Sequence, residues 1–303
     1  MQAQIRIGIS GWRYAPWRGS FYPPGLAQSR ELRHAAHQFP AIELNGSFYA
    51  LQRPASYARW AADTPEGFVF TVKAPRFITH VLRLRDARVA VANFFASGLF
   101  GLGAKLGPIL WQLPPNLAFD AGLLEAFLAL LPHDTTAAAA LAADRDAQRM
   151  RGRELLEPER PWRIRHALEV RHDSFCHPDF VALLRRHGVA LVVADTGGRW
   201  PELGDVTADF VYLRLHGATA LYASGYGDAQ IDRWAARIRA WAAGGVPADV
   251  RTAAPAARRA SVPGRTPRNV FCFFDNTEKI HAPANALRLA NRLGLGTGLR
   301  ITR

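Results

Sequence analysis

Glu43, Lys73, Gln112, Glu169, Arg171, Asp195, Arg214, His216 and Asp275 each stand at or just past the end of a short apolar run. Carboxylates beside arginines, a lysine and a histidine are the ingredients of phosphate binding and of proton transfer. A guanidinium group meets phosphate oxygens in pairs, a carboxylate takes a proton and an imidazole returns it. Lys73, Arg171 and Arg214 are therefore expected to hold a phosphate-bearing ligand, a nucleotide or nucleic acid. Glu43 or Glu169 would serve as base and His216 as acid, with Asp275 as a further carboxylate near the reaction, which suits a phosphate-ester hydrolase. His80, which follows Thr79, and His172 add further proton carriers.

Aromatic residues follow the same runs: Trp12, Tyr14 and Trp17, then Phe48 and Tyr49, then Tyr222 and Tyr226. Flat rings beside a charged pocket stack on bases or sugar faces, although rings such as Phe48 and Trp17 serve equally well as rim packing. No HxH, HExxH or CxxC spacing is present, so neither a metal nor another cofactor is expected.

Three other readings compete. In the structural one, Glu43, Glu169, Asp195 and Asp275 face Lys73, Arg171 and Arg214 as a nearly neutral plug of ion pairs, as a buried network must be. Stability alone is a weak reason for such a ring, because apolar replacements are often neutral or stabilising. In a glycoside-processing reading, two carboxylates flank one bond. Adjacent arginines oppose it, since they keep both acids ionised. In the last, surface arginines bind nucleic acid without catalysis and the fold is a scaffold.

The charge itself is ambiguous. The 303 residues carry 38 Lys and Arg against 25 Asp and Glu, a formal net charge of +13. Only three of the basic residues are lysine (Lys73, Lys105, Lys279), and the arginines are scattered among abundant alanine. That pattern fits codon bias as well as a nucleic-acid surface. With 49% apolar and 21% charged residues the chain is neither disordered nor low in complexity. No apolar stretch reaches bilayer length, so no membrane partner is expected. Met1 runs within a few residues into the first apolar segment, leaving no room for a signal peptide, and Cys176 and Cys272 read as reduced structural thiols. The expectation is a cytoplasmic protein.

The elements that must position these residues read as eight buried strands: Ile5–Ser10, Ala41–Asn45, Phe68–Lys73, Ile109–Gln112, Ala167–Arg171, Ala190–Asp195, Val211–His216 and Val270–Asp275. Helical patterns lie between them. Ser29 reads as the cap of a helix to about Gln38, Asp120 as the cap of LLEAFLALL, and Pro178 as the start of a helix that Gly188 closes. Asp228 opens a helix whose apolar face is Ile231, Trp234, Ile238 and Trp241, and Pro283 opens the last one, ended by Gly294. Eight alternations predict a closed (β/α)₈ barrel over residues 1–303 as a single α/β domain, with parallel strands and outer helices. No GxGxxG follows the first strand, which argues against an open dinucleotide-binding sheet. The Ala/Pro/Arg-rich stretch Gly244–Arg268 reads as a flexible loop at the N-terminal face.

Period-two alternation assigns faces. Arg214 and His216 share one with Tyr212, Glu43 with Asn45, Glu169 with Arg171, Lys73 with Thr71, Gln112 with Leu110, and Asp275 with Phe271 and Phe273. Asp195 falls with Leu191 and Val193. Nearly every strand thus delivers a polar group to its C-terminal end, the face where barrels of this kind carry their sites.

The ordered motifs GISGWRYAPWRGSFYP, IELNGSFYALQRP, FVFTVKAPRFITH, GPILWQLPP, HALEVRHDSF, VYLRLHG, YASGY with IDRWA, and FCFFDNTEKIHAPANALRL resemble the YecE-like family, a domain of unknown function, along nearly the whole chain. The resemblance implies a TIM barrel with its functional residues at the strand ends and implies no particular reaction. Carried over residue by residue, it adds Gly11, Asn276 and Asn285 to the residues named above without assigning them a purpose. With the strand-end and rim reading, Trp12, Tyr14, Asn45, Tyr49, His80, Gln112, Asp195, Tyr226 and Asn276 are expected as ligand contacts. Thr277 stands where relatives often carry a different residue, and Gly244–Arg268 is longer than the connection usual in the family.

Overall fold

A computed structural model of the protein describes residues 3–254, 266–276 and 281–296. The eight strands are β1 Ile5–Ser10, β2 Ala41–Leu44, β3 Val69–Lys73, β4 Leu106–Gln112, β5 His166–Glu169, β6 Ala190–Asp195, β7 Phe210–Leu215 and β8 Asn269–Phe274. They pair in parallel in chain order, and β8 closes on β1 to complete the barrel. The chain is a (β/α)₈ barrel, as the alternation of strand and helix predicts.

The interior is filled asymmetrically. Phe210 and Tyr212 of β7 and Phe271 and Phe273 of β8 enter from one side, while β2, β5 and β6 contribute Ala41, Ala167, Ala190, Val192 and Ala194 from the other. Large rings thus occupy the volume that the alanines leave, as close packing requires. β1 contributes almost nothing, because a Cβ on Gly8 would lie 2.1 Å from the carbonyl oxygen of Ala41 and 3.1 Å from the Phe273 ring. Only glycine fits between β2 and that ring. The opposite faces of the strands, among them Ile7, Ile9, Leu191, Val193, Leu213 and Cys272, pack beneath the helices.

Several element boundaries differ from the sequence reading. β4 starts at Leu106, earlier than expected, and Asn45, Arg171, His216 and Asp275 lie just beyond the last paired residue of their strands. The helix after β1 spans Glu31–Gln38 and is entered through a 3₁₀ turn Gln28–Arg30, so Ser29 does not cap it. The last helix begins at His281, two residues before Pro283. Asp120 Oδ1 accepts from the backbone N–H of Leu123 at 3.0 Å, and the Asp228–Ala242 helix buries Ile231, Trp234, Ile238 and Trp241, both as expected. The stretch 244–268 is anchored where it is described. Arg251 O accepts from Gly204 N at 2.8 Å, and the Asp205 carboxylate accepts from Ala253 N at 2.7 Å. The remainder of that stretch, 255–265, and Thr277 lie outside the described residues. Among the described residues no helix is long and apolar enough to cross a membrane.

Candidate functional site

Above the ring layer, the C-terminal mouth of the barrel is occupied by charge organised around Arg214. Its Nε and Nη2 donate to Glu43 Oε2 and Oε1 at 3.0 and 2.8 Å, Nη1 donates to Glu169 Oε2 at 2.6 Å, and Nη2 also donates to Asp275 Oδ2 at 2.7 Å. The remaining Nη1 direction meets His216 Nε2 at 3.4 Å. Every guanidinium N–H thus faces an acceptor, and Arg214, Glu43, Glu169 and His216 are fully buried. Burial alone would lower the pKa of Arg214, but the Glu43, Asp275 and Glu169 carboxylates push it well above the ordinary value. Arg214 therefore has no donor left for a phosphate, contrary to the role expected for it.

Glu43 is equally committed. Oε1 also accepts from Ser10 Oγ at 2.8 Å, and Oε2 accepts from the Tyr212 hydroxyl at 2.7 Å. Both oxygens are engaged and out of reach of solvent, which removes Glu43 as a base acting on a bound ligand. Tyr212 joins the apolar layer to the polar one, its hydroxyl also 2.9 Å from Thr71 Oγ1. Burial and the Glu43 charge raise its pKa well above that of a free phenol.

Glu169 takes Arg171 Nε on Oε1 at 2.8 Å. Burial would raise its pKa, yet Arg214 and Arg171 outweigh that and hold it below the usual carboxylate range. Asp275 behaves alike: burial opposes ionisation, but Arg214 and His216 bring its pKa down to about 2. His216 Nδ1 lies 3.1 Å from Asp275 Oδ2. A guanidinium can only donate, so its contact with Nε2 places the imidazole proton on Nδ1, facing Asp275. The backbone fixes this pair, since His216 N and Asp275 N donate to the carbonyls of Asp195 and Leu215 at 2.9 Å each.

Two cations stand at the outer edge of this network. Arg171 donates through Nη2 to the Tyr222 hydroxyl at 3.1 Å and lies 3.9 Å from the centre of the Trp200 ring. Its other N–H groups meet no acceptor among the described residues. Lys73, 9% exposed, holds Nζ 4.3 Å from the centre of the Phe48 ring and has no ion-pair partner among the described residues. Burial, reinforced by Arg214, pushes its pKa down to about 8. His80 touches Thr79 Oγ1 through Nδ1 at 2.8 Å, sits edge-on to Phe48 and has Nε2 3.5 Å from Gln112 Nε2. Burial, then Lys73 and Arg171, lower its pKa to about 4, so it is a neutral imidazole at neutral pH.

The mouth thus gathers Glu43, Lys73, His80, Gln112, Glu169, Arg171, Arg214, His216 and Asp275. It does not gather all the residues expected there. Asp195 shares the outward face of Leu191 and Val193, where its Oδ1 accepts from Gly197 N at 3.2 Å and its charge acts on Tyr226. Without it, the mouth balances Glu43, Glu169 and Asp275 against Lys73, Arg171 and Arg214. Tyr226 is buried, its hydroxyl accepting from Gly217 N at 3.1 Å. Asn276 Nδ2 donates to Ser224 O at 2.9 Å and Asn285 Oδ1 at 3.1 Å, a clamp between loop and last helix. Trp12 is buried edge-on against Trp60, Trp17 is wholly buried, and the Tyr14 hydroxyl donates to Ser10 O at 2.8 Å. Asn45 lies at the entry of the short helix Gly46–Tyr49, and Tyr49, at its end, is 74% exposed. Trp200 and Ser10 were not singled out by the sequence reading. Trp200 follows β6 just as the other rim aromatics follow their strands, and Ser10 shares the parity of Gly8 inside the barrel. Among the described residues no group of three or more His, Cys, Asp or Glu side chains is arranged to hold a metal ion.

Comparison with known proteins agrees with the fold. A family model described as "Protein of unknown function DUF72" matches residues 6–301. The UPF0759 protein YunF of Bacillus subtilis is 34% identical over 116 residues, 37% of this chain and 40% of its own length. The UPF0759 protein YecE of Escherichia coli is 30% identical over 110 residues, 36% of this chain and 38% of its own. The chain spans about two fifths of the length of the curated relatives it matches. Among solved structures, a DUF72 family protein from Thermotoga maritima superposes with a TM-score of 0.71 at 23% identity, covering 96% of this chain and 99% of that one. Another from Enterococcus faecalis gives 0.69 at 16% identity, covering 97% and 96%. With a match over nearly its whole length and the same barrel, this chain belongs to the DUF72 family.

Proposed function

We propose that the barrel mouth binds a small phosphate-bearing ligand, of the nucleotide or sugar-phosphate class, through Arg171 and Lys73. One observation carries this reading: among the carboxylate oxygens of the mouth only Asp275 Oδ1 is left open, whereas Arg171 and Lys73 keep donors without acceptors among the described residues. A site whose open donors outnumber its open acceptors favours an anion. Arg171 lies over the Trp200 ring and is braced by Glu169 and Tyr222, so it meets a planar or tetrahedral anion with little loss of side-chain freedom. In a hydrolytic version Asp275 takes the role of base. Its Oδ1 has no partner among the described residues, its side chain is 10% exposed, and its other oxygen is steadied by Arg214 and His216. A glycosidase arrangement is disfavoured because it needs one carboxyl group that keeps its proton, and both Glu169 and Asp275 are pushed the other way.

Isothermal titration with inorganic phosphate and a nucleoside monophosphate tests the reading. Arg171→Met is expected to weaken binding at least about tenfold, the effect of losing one charge-assisted contact. Equal affinity in wild type and variant, or no binding of either ligand, overturns it.

A second reading, nucleic-acid binding by the outer surface, is favoured by one patch. Tyr49 borders a cavity of about 100 Å³ shared with Arg76, Phe77 and Arg149, and Arg149 lies 5.4 Å from the centre of the Phe77 ring. Binding of a labelled single-stranded oligonucleotide that falls steeply with salt and ignores Arg171→Met supports this reading. Salt-insensitive binding that is lost in Arg171→Met speaks against it.

A further inference from the structure

The three lysines of the chain are Lys73, Lys105 and Lys279. Lys105 Nζ is tied down by the carbonyls of Ala61 and Thr64 at 2.5 and 2.6 Å. Lys73 is different. It ends β3 on the interior side that it shares with Thr71, it is nearly buried, and a ring face rather than a carboxylate covers its Nζ. Of the acids near it, Glu43 and Glu169 have both oxygens taken by other donors, and Asp275, whose Oδ1 stays open, makes no ion pair with Nζ among the described residues.

We propose that Lys73 is a Schiff-base nucleophile whose Nζ condenses with the carbonyl carbon of a small phosphorylated aldehyde or ketone. The class of substrate rests on the phosphate reading above; the covalent step does not. A lysine becomes nucleophilic when apolar surroundings and a neighbouring cation disfavour its charged form. Burial inside the mouth supplies the first and Arg214 the second, and together they outweigh the opposing charges of Asp275, Glu169 and Glu43. The depressed pKa fits: about a tenth of an amine with a pKa near 8 is uncharged at neutral pH.

The step balances without any redox partner. The uncharged amine adds its lone pair to the carbonyl carbon, and the proton that the nitrogen then gives up is passed to the carbonyl oxygen, leaving a neutral carbinolamine whose nitrogen again has a lone pair. The nitrogen lone pair then expels the hydroxyl group, which leaves with one further proton as water. One water is released for each protonated imine formed. Neutral His80 stands beside Lys73 as a proton carrier for these transfers, with Thr79 on its Nδ1 and Gln112 near its Nε2. Arg171, across the mouth, takes the phosphate.

The test is hydride trapping on the full chain. Protein is incubated with pyridoxal phosphate or glyceraldehyde 3-phosphate, and in parallel with pyridoxal or glyceraldehyde, reduced with borohydride and peptide-mapped by mass spectrometry. The expected result is one stable adduct per chain on Lys73, at least about tenfold more with the phosphorylated aldehydes and lost in Lys73→Arg, which keeps the positive charge but not the amine. Mapping of the wild-type adduct settles the site even if that variant folds poorly. Equal labelling of Lys73 by plain and phosphorylated aldehydes keeps the nucleophile and removes the phosphate reading. Tight phosphate binding with no adduct on Lys73, or labelling confined to Lys105, Lys279 or the terminal amine, overturns the inference.

Discussion

Arg214 and Glu43 form a two-pronged ion pair inside the barrel, Nε to Oε2 at 3.0 Å and Nη2 to Oε1 at 2.8 Å, with neither side chain exposed. No water can replace either partner there. Glu43→Gln should therefore lower stability by about 3–5 kcal/mol, the cost of leaving a buried charge without its partner. Denaturant unfolding measures it. A loss under about 1 kcal/mol would mean that Glu169 and Asp275 alone satisfy Arg214.

His80 shares the acid-side pH signature with the fully buried His166, whose pKa burial pushes down to about 3, so removing His80 alone makes the slope shallower without abolishing it. The folded pKa of His80, near 4, lies below the ordinary histidine value of 6.5, so the unfolded chain binds the proton more readily. The stability that neutral His80 contributes is present above pH 6.5 and is lost as the pH falls from there through 4. Asp275, also depressed, adds its own loss only lower, from 3.8 down through about 2. In His80→Asn the slope of unfolding free energy between pH 6.5 and 4 should become shallower while the steep loss at lower pH remains. An unchanged upper slope refutes the assignment.

On the phosphate reading proposed above, losing the Trp200 ring should affect binding more than folding. It lies under the Arg171 guanidinium at 3.9 Å, a stack worth about 0.5–2 kcal/mol. Trp200→Ala should weaken phosphate binding by roughly 3- to 30-fold, as read by calorimetric titration. Arg171→Lys keeps the charge but not the planar contact and should weaken binding as well. Full affinity in both variants would place the anion elsewhere.

Gly8→Ala tests the packing of the interior. The new methyl group would meet the Ala41 carbonyl oxygen, a backbone atom that cannot turn aside. About 1–3 kcal/mol or more of stability should be lost, seen as a lower melting temperature.

The barrel and most of its mouth were legible because alternation along a strand assigns a face to every residue. Tyr212 with Arg214, Phe273 with Asp275 and Ala41 with Glu43 all lie inside, as their parity requires. Asp195 obeys the same rule. Its companions Leu191 and Val193 face the helices, and a polar residue at a strand end therefore need not belong to the mouth. The commitment of Arg214 could not be read in the same way. Whether a guanidinium keeps a free N–H depends on distances between residues as far apart in sequence as Glu43 and Asp275. Trp200 escaped notice because it meets Arg171 across two loops, a pairing that no local period encodes.

The order of charges in the mouth has a consequence for how a ligand arrives. Glu43, Glu169 and Arg214 lie deep, while Lys73, Arg171 and Asp275 stand nearer the rim, and the six formal charges cancel. Seen from outside, such an arrangement is a dipole with its positive end toward solvent, and its field dies away faster with distance than that of a lone charge. On the phosphate reading proposed above, such a mouth would grip an anion at contact range and do little to draw it in from afar. Long-range attraction is left to the excess arginines of the outer surface, so salt should slow the arrival of an anion far more than it loosens one already seated.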